Sequence, residues 1–77
     1  MDITVEKLMT IVKEALELEH VELNDFLDSY DSWDSLGRLS LIALIDEHFD
    51  VQISDKEFNE FETVSDVLNS LLKKNSQ

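Results

Sequence analysis

The spacing of apolar residues predicts two long helices in the first two thirds of the chain. In the stretch from about Val5 to Leu18, apolar side chains recur every three or four residues, and Thr4 precedes them as a plausible N-cap. A second stretch runs from about Ser35 to Phe49. Its predicted inner stripe consists of Leu39, Ile42, Ile45 and Phe49. Three further leucines lie off that stripe, so this helix is more apolar than one core face requires: Leu36, Leu41 and Leu44.

Capping residues indicate two further helices toward the C-terminus. Ser54 and Glu57 form a capping box that predicts a short third helix. Thr63 and Asp66 form a weaker capping box for a fourth helix, whose last turn carries two lysines that complement the helix dipole. Residues 51–53, between the second and third helices, are predicted to be a short extended connector that is too isolated to make a sheet.

A long connection, residues 19–34, separates the first two helices and contains no proline or glycine. A structureless loop of this length is uncommon in a compact domain unless it is functional or pinned to the core. We expect its apolar residues to pin it across the helices, and Phe26 is a candidate to join the core phenylalanines. These anchors are Val21, Leu23, Phe26, Leu27 and Tyr30. The predicted fold class is all-α, a four-helix bundle with a long first loop and a short third helix, in a single domain spanning residues 1–77.

Composition narrows the class of protein. A chain of 77 residues can build one modest core and has little room for a deep catalytic cleft. The absence of cysteine excludes disulfides and thiolate chemistry, which suits a reducing cytosol. The first thirteen residues lack the blocks of a signal peptide, and the longest apolar run, Leu41 to Ile45, is too short to span a membrane. We therefore expect a cytoplasmic protein without a membrane partner. We also expect a monomer, because the off-stripe leucines of the second helix suffice for docking but are too few for a permanent dimer.

The charge is strongly negative, with 18 acidic against 6 basic residues and a formal net charge of −12. Between Glu14 and Asp55 the only base is Arg38. Such a surface repels nucleic acid and anionic lipid, and it attracts proteins with basic patches. The charge could also serve solubility alone.

Ser35 stands where the acidic loop meets the second helix, in Trp33-Asp34-Ser35-Leu36. Backbone N–H groups and the helix dipole favour an anion at such a position. No neighbouring residue is placed to activate the hydroxyl as a nucleophile, so the pattern favours a serine that another enzyme modifies with a negatively charged group. Asp34 is the expected N-cap.

The other arrangements of polar residues do not match the spacing of calcium, zinc or hydrolase motifs. Aspartates recur every three residues from Asp25 to Asp34, which is not the spacing of an EF-hand loop. His20 and His48 lie far apart and lack the spacing of a zinc motif, and no Gly-x-Ser-x-Gly turn supports a hydrolase triad with Ser35. We therefore predict neither catalytic residues nor a metal site.

The chain resembles an acyl carrier protein over nearly its whole length. The resemblance is carried by Asp34-Ser35-Leu36, which is similar to the family's attachment motif, and by the following helix, which ends Asp46-Glu47-His48-Phe49. The connector from Val51 to Asp55 and the Thr63-Val64 start of the last helix add to it. Trp33 is more similar to stand-alone and peptidyl-carrier-like domains than to the housekeeping fatty acid carrier.

The resemblance implies a function. A phosphopantetheinyl transferase would attach 4′-phosphopantetheine to Ser35, and a loading ligase and downstream acyl-processing enzymes with basic patches would act on acyl or aminoacyl groups held as thioesters. Asp34 and Leu36 would contact the transferase. Arg38 could pair with the phosphate or be an ordinary exposed arginine. The recognition surface for partners would comprise Gly37, Arg38, Ser40, Leu41, Ala43, Leu44, Asp46 and Glu47.

The sequence also departs from the family. Housekeeping carriers usually have acids two and five positions after the serine, where this chain has Gly37 and Ser40. Together with the small Ala43, this predicts a dedicated partner set in a specialised pathway. Several phenylalanines in a small core favour simple good packing, and the alternative hypothesis is that they leave less space to shelter a long acyl chain, so that the cargo is short. The alternative class is a small acidic helical interaction module without a prosthetic group, which explains charge and helices but not the Asp-Ser-Leu motif.

Overall fold

The computed structural model describes residues 3–75. Within this range the chain forms four α-helices, one short 3-10 turn and no strand. The helices are α1 (Val5–Leu16), α2 (Ser35–Phe49), α3 (Asp55–Glu60) and α4 (Val64–Asn75), and the 3-10 turn is Leu27–Ser29. The predicted all-α fold with a long first loop and a short third helix is confirmed. The ends of the predicted domain, residues 1–2 and 76–77, lie outside the described residues.

Side-chain caps fix where the helices begin, as the sequence predicts. Thr4 Oγ1 accepts a hydrogen bond from the Lys7 N–H at 3.1 Å, and Ser54 Oγ accepts one from the Glu57 N–H at 3.2 Å. α1 ends at Leu16, two residues before the predicted end, because Glu17 adopts the left-handed conformation with φ 55°. The N–H of Glu17 then bonds the Lys13 carbonyl, which closes the helix.

The helices bury one continuous apolar core. Its fully buried members include Leu8 and Leu16 of α1, Phe58 of α3 and Leu71 of α4. α1 packs against α2, and α2 packs against α3. Val51 and Ile53, in the connector between α2 and α3, are also buried, so that connector is extended and tied to the core without forming a strand.

The predicted inner stripe of α2 is partly wrong. Ile45 and Phe49 are buried, and Ile42 is half-buried against the core. Leu39 is 55% exposed, whereas Leu41 is fully buried. The buried positions of α2 recur every four residues and include the glycine: Gly37, Leu41, Ile45 and Phe49. This stripe winds slowly around the helix axis, which brings Leu41 inward and turns Leu39 out.

Backbone hydrogen bonds to the α3–α4 connection hold the first loop in place. Phe26 and Thr63 form an isolated antiparallel bridge. The Leu27 N–H donates to the Glu62 carbonyl at 2.8 Å, and the Val64 N–H donates to the Asp25 carbonyl at 3.1 Å. Val21 and Leu27 add buried side chains, as predicted. The prediction that Phe26 anchors the loop in the core is wrong, because its side chain is 59% exposed while its backbone makes the bridge.

Two ion pairs tie α3 to its neighbours. Arg38 Nε of α2 lies 3.2 Å from Asp55 Oδ1, at the start of α3. Lys74 Nζ of α4 lies 3.3 Å from Glu57 Oε2. Because a six-residue helix has few internal hydrogen bonds, its position depends on these contacts and on Phe58 in the core.

Candidate functional site

Asp34 starts α2 and thereby places Ser35 at the first helical position. Asp34 has extended backbone dihedrals, and its Oδ1 accepts a hydrogen bond from the Gly37 N–H at 2.8 Å. The predicted N-cap is confirmed. Ser35 is exposed, so its hydroxyl is accessible at the electropositive end of a fifteen-residue helix.

Arg38 lies one turn along α2 and faces the hydroxyl of Ser35. Its Nη2 donates a hydrogen bond to Ser35 Oγ at 3.4 Å, and its Nε donates one to Asp55 Oδ1 at 3.2 Å. The arginine side chain is only 20% exposed. Of the two alternatives open at the level of sequence, the ordinary exposed arginine does not describe this residue, which lies partly buried between the serine and α3.

Gly37 is buried because the loop before α2 folds tightly over it. A Cβ at this position would overlap the carbonyl oxygen of Ser32 and lie 2.9 Å from Leu16 Cδ2. The sequence interpretation placed this glycine in a recognition surface for partners. The structure corrects this, since the space is filled by the Ser32 backbone and by α1, and no side chain of any kind fits there without movement.

The segment before Ser35 is held by aromatic and backbone contacts. Trp33 is half-buried, with its ring centroid 6.1 Å from that of Phe58, which in turn packs edge-on against Phe61 at 5.2 Å. The Trp33 N–H donates to the Tyr30 carbonyl at 3.0 Å. The indole therefore links the loop next to Ser35 to the core residue of α3.

Two acidic residues of the first loop have structural hydrogen bonds. Asp25 Oδ2 accepts from the Tyr30 hydroxyl at 2.7 Å and from the Glu22 N–H at 2.9 Å. These bonds, the tyrosine's first, lower the pKa of the Asp25 carboxyl. Burial, and then the hydrogen bond to Asp25, raise the pKa of the Tyr30 hydroxyl. Asp25 therefore acts as a turn-forming residue, and Asp34 acts as a helix cap.

The outward face of α2 carries most of the predicted recognition residues. Leu36 is 75% exposed, and the other exposed positions are Ser40, Ala43, Asp46 and Glu47. Leu44 is half-buried. Leu41 was predicted to belong to this surface, but it is fully buried and is corrected to a core residue.

Sequence reasoning assigned Leu39 to the core and so missed it as part of the outward face. Leu36, Leu39 and Ala43 follow one another at helical spacing on that face. The signal that could have found Leu39 is the excess of apolar residues on α2, which has more leucines than a single core-facing stripe can bury.

Other chemistry has little support in the part of the chain that the structure describes. Residues 3–75 contain no group of three or more His, Asp or Glu side chains that could hold a metal ion. His20 and His48 are both exposed. None of the described helices combines the length and the apolar character needed to cross a bilayer.

Comparison with known proteins gave one family. The family model for the phosphopantetheine attachment site matches residues 6–71, which covers all of α1, α2 and α3 except the first residue of α1, and most of α4. No curated protein matches the chain, and no solved structure does. The family is defined by the covalent attachment of 4′-phosphopantetheine, and its domains are typically non-catalytic carriers that interact with phosphopantetheinyl transferases and acyl-processing enzymes. With its helices, its capped serine and this match in agreement, the chain belongs to the phosphopantetheine-binding carrier family.

Proposed function

We propose that Ser35 is the attachment point and that the chain is an acyl carrier protein for acyl or aminoacyl groups. The observation that carries this proposal is the exposed Ser35 hydroxyl at the first position of a helix that Asp34 caps and Arg38 flanks. A transferase can reach an exposed hydroxyl, and the start of a helix tolerates a permanent negative charge at that place.

The residues around Ser35 fit a phosphodiester. Asp34 bonds the Gly37 N–H, while the Arg38 N–H bonds the Asp34 carbonyl. The N–H groups of Ser35 and Leu36 lie in the first turn of α2, where N–H groups have no intrahelical partner, and they are directed out of the N-terminal end of the helix. These groups and the Arg38 guanidinium offset a negative charge on Ser35. When bound, phosphopantetheine supplies a terminal thiol that holds the cargo as a thioester.

The outward face of α2 supports a role in partner recognition. It presents exposed Leu36, Leu39 and Ala43 together with the acids Asp46 and Glu47. An apolar centre flanked by acids is complementary to a partner with an apolar pocket and a basic rim. We assign this face to the phosphopantetheinyl transferase and to the enzymes that load and process the cargo.

A dedicated partner set is part of the proposal. An acid cannot stand at position 37, because the Ser32 carbonyl fills the space of a side chain, and Ser40 is uncharged. A partner that reads acids at those two places would bind this chain weakly. Normal turnover of the loaded chain by standard fatty acid synthase components would contradict the dedicated set and favour a housekeeping role.

Cargo size is open to a direct test. Phe58 is fully buried and Phe49 nearly so, whereas the groove of about 430 Å³ beside Ile42, Ile53 and Glu57 is open to the surface. We propose a short acyl or aminoacyl cargo that does not enter the core. Amide resonances of the core helices should stay unchanged when a long acyl group is loaded, and large shifts would show that the core opens to shelter it.

The attachment itself is tested by intact-protein mass spectrometry after incubation with coenzyme A and a broad-specificity phosphopantetheinyl transferase. The native chain should gain the mass of one phosphopantetheine group, and Ser35→Ala should gain none. Thr10→Ala removes an exposed hydroxyl of α1, outside the recognition surface, and should be modified like the native chain. Complete absence of a mass gain would favour an interaction module without a prosthetic group, and a gain retained in Ser35→Ala would place the attachment elsewhere.

A further inference from the structure

The position of Arg38 gives it two contacts that a solubilising surface residue would not need. Its Nη2 lies 3.4 Å from Ser35 Oγ and its Nε lies 3.2 Å from Asp55 Oδ1. The arginine side chain is 20% exposed, whereas that of Asp55 is 54% exposed. The guanidinium is therefore fixed between the modifiable hydroxyl on α2 and the first residue of α3.

The part of the sequence around this arginine is otherwise strongly negative. Arg38 is the only base between Glu14 and Asp55, a segment that contains twelve acids. Asp34, next to Ser35, is one of these acids and is exposed. A phosphodiester on Ser35 would add a further negative charge at this point, and like charges close together are unfavourable.

Asp55 gives the guanidinium its orientation. Arginine presents five N–H donors in a rigid planar fork, and Asp55 and Ser35 engage only part of that fork. The remaining donors stay available for an acceptor on the serine side. Phosphate oxygens are the acceptors that this fork binds best, often through two parallel hydrogen bonds.

We propose that Arg38 is a positioning residue that binds the phosphodiester on Ser35 and, through Asp55, links the modified state of Ser35 to the position of α3. This inference rests on the proposed attachment at Ser35. The phosphorus would be bonded to the same Oγ that Nη2 contacts in the unmodified chain. Modification therefore strengthens a contact that already exists, and the Arg38–Asp55 pair carries the change to α3.

A thermodynamic cycle tests the proposal. Its four corners are the native chain and Arg38→Gln, each before and after modification with phosphopantetheine, with Tm followed by circular dichroism at low ionic strength. Modification should lower the Tm of Arg38→Gln by roughly 2–4 °C more than it lowers the Tm of the native chain, since the added charge then lacks its partner. Arg38→Lys keeps the positive charge but lacks the planar fork of N–H donors. Its decrease in Tm on modification should therefore lie between those of the native chain and Arg38→Gln.

Lys56→Gln is the matched control, because it removes one positive charge beside Asp55 from an exposed residue. It should respond to modification like the native chain, whereas an equal response of Lys56→Gln and Arg38→Gln would reduce the effect to net charge and overturn the specific role of Arg38.

A second readout reports on α3 itself. In ¹H–¹⁵N spectra, modification of the native chain should shift the amide resonances of residues 55–60, and these shifts should be lost in both Arg38→Gln and Asp55→Asn. If all variants are modified and show the same change in Tm and the same α3 shifts, Arg38 has no positioning role and the attachment at Ser35 still stands. If no variant gains the mass of the group, the attachment and the role of Arg38 both fall.

Discussion

At the scale of single residues, Gly37 shows most clearly how the loop and α2 constrain each other. Its backbone is ordinary helix, so conformational freedom does not explain a glycine there. The reason is space, because the Ser32 carbonyl and Leu16 Cδ2 occupy the position of a side chain. The glycine lets the segment before Ser35 lie directly against α2, and this packing fixes where the serine emerges.

Gly37→Ala should therefore destabilise the fold even though alanine is the better helix former. The substitution gains about 1 kcal/mol in helix propensity. Overpacking against a backbone carbonyl costs about 1–3 kcal/mol. We expect this cost to exceed the gain in helix propensity, so that the free energy of unfolding falls by about 1 kcal/mol. Urea denaturation measures the difference. Ser40→Ala, at an exposed site of the same helix, is the control and should change stability by less than about 0.5 kcal/mol. A more stable Gly37→Ala would show that the loop moves aside easily.

At the scale of elements, local signals predict the ends of helices better than their orientation. The starts of α1, α2 and α3 follow from Thr4, Asp34 and Ser54, whose side chains bond N–H groups within their own first turn. The inward face of α2 could not be predicted in the same way, because apolar residues occur all around this helix. The correct stripe runs through Gly37, a residue without a side chain that gives no apolar signal.

The way in which the first loop is held against the connection between α3 and α4 is the second feature that could not be predicted from the sequence. The loop is bound through backbone groups of residues 23–27 and 62–65, and backbone groups carry no residue-specific pattern. The apolar residues of the loop suggested anchoring by side chains, which holds for Val21 and Leu27 but not for Phe26. Non-local backbone pairing depends on the assembled fold, so it becomes visible only in the structure.

The start of α4 gives a pH-dependent prediction. Asp66 Oδ2 accepts hydrogen bonds from the N–H groups of Glu62 at 2.9 Å and Thr63 at 3.1 Å, and the Asp66 N–H donates to Thr63 Oγ1. The Glu62 bond first, and then the Thr63 bond, hold the pKa of the Asp66 carboxyl below its ordinary value of 3.8. A lowered pKa in the folded state means that the ionised carboxylate stabilises the fold above pH 3.8, and that this contribution is lost as the pH falls through the folded-state pKa.

Asp66→Asn should thus lower the free energy of unfolding by about 0.5–1.5 kcal/mol at pH 7, since its hydrogen bonds lose their charge. The deficit should shrink as the pH is lowered below 3.8. Asp31→Asn makes the same change of charge at an exposed loop position and corrects for the general repulsion among acids. Urea titrations at several pH values compare the two variants. A deficit for Asp66→Asn that is the same at pH 7 and in acid would rule out the carboxylate's charge as its cause.

At the scale of the whole molecule, the position of Ser35 at a capped helix start was predictable from the sequence, and the outward face of α2 was not. Ser35 follows from a local motif at a capped helix start, which needs no knowledge of the core. The outward face of α2 depends on which leucines the other helices bury. Leu39 was therefore predicted to be buried but is exposed, and Leu41 was predicted to be on the surface but is buried. A serine at a helix start can be located from a few neighbouring residues, whereas the exposed face of a helix is known only once the fold is packed.

The net charge of −12 predicts a conflict between stability and partner recognition. Glu14 and Glu47 are both exposed, and each lies two residues before the end of a long helix, α1 and α2 respectively. Changing either to lysine reduces the self-repulsion of the chain and places a positive charge near the negative end of a helix dipole. Both variants should therefore have a Tm a few degrees above that of the native chain at low ionic strength, on the order of 2–4 °C, with the gain shrinking in salt.

The two variants should differ in how fast they are modified. Glu47 lies on the outward face of α2 that we assign to partners, whereas Glu14 lies on α1. If partners contact that face, Glu47→Lys should lower kcat/KM of a phosphopantetheinyl transferase for the chain roughly 3–10-fold, and Glu14→Lys much less, because a misplaced charge in an interface costs more than the same charge elsewhere. Equal decreases would mean that the acids act only through the long-range field of the molecule, and the face of α2 would then have no special part in recognition.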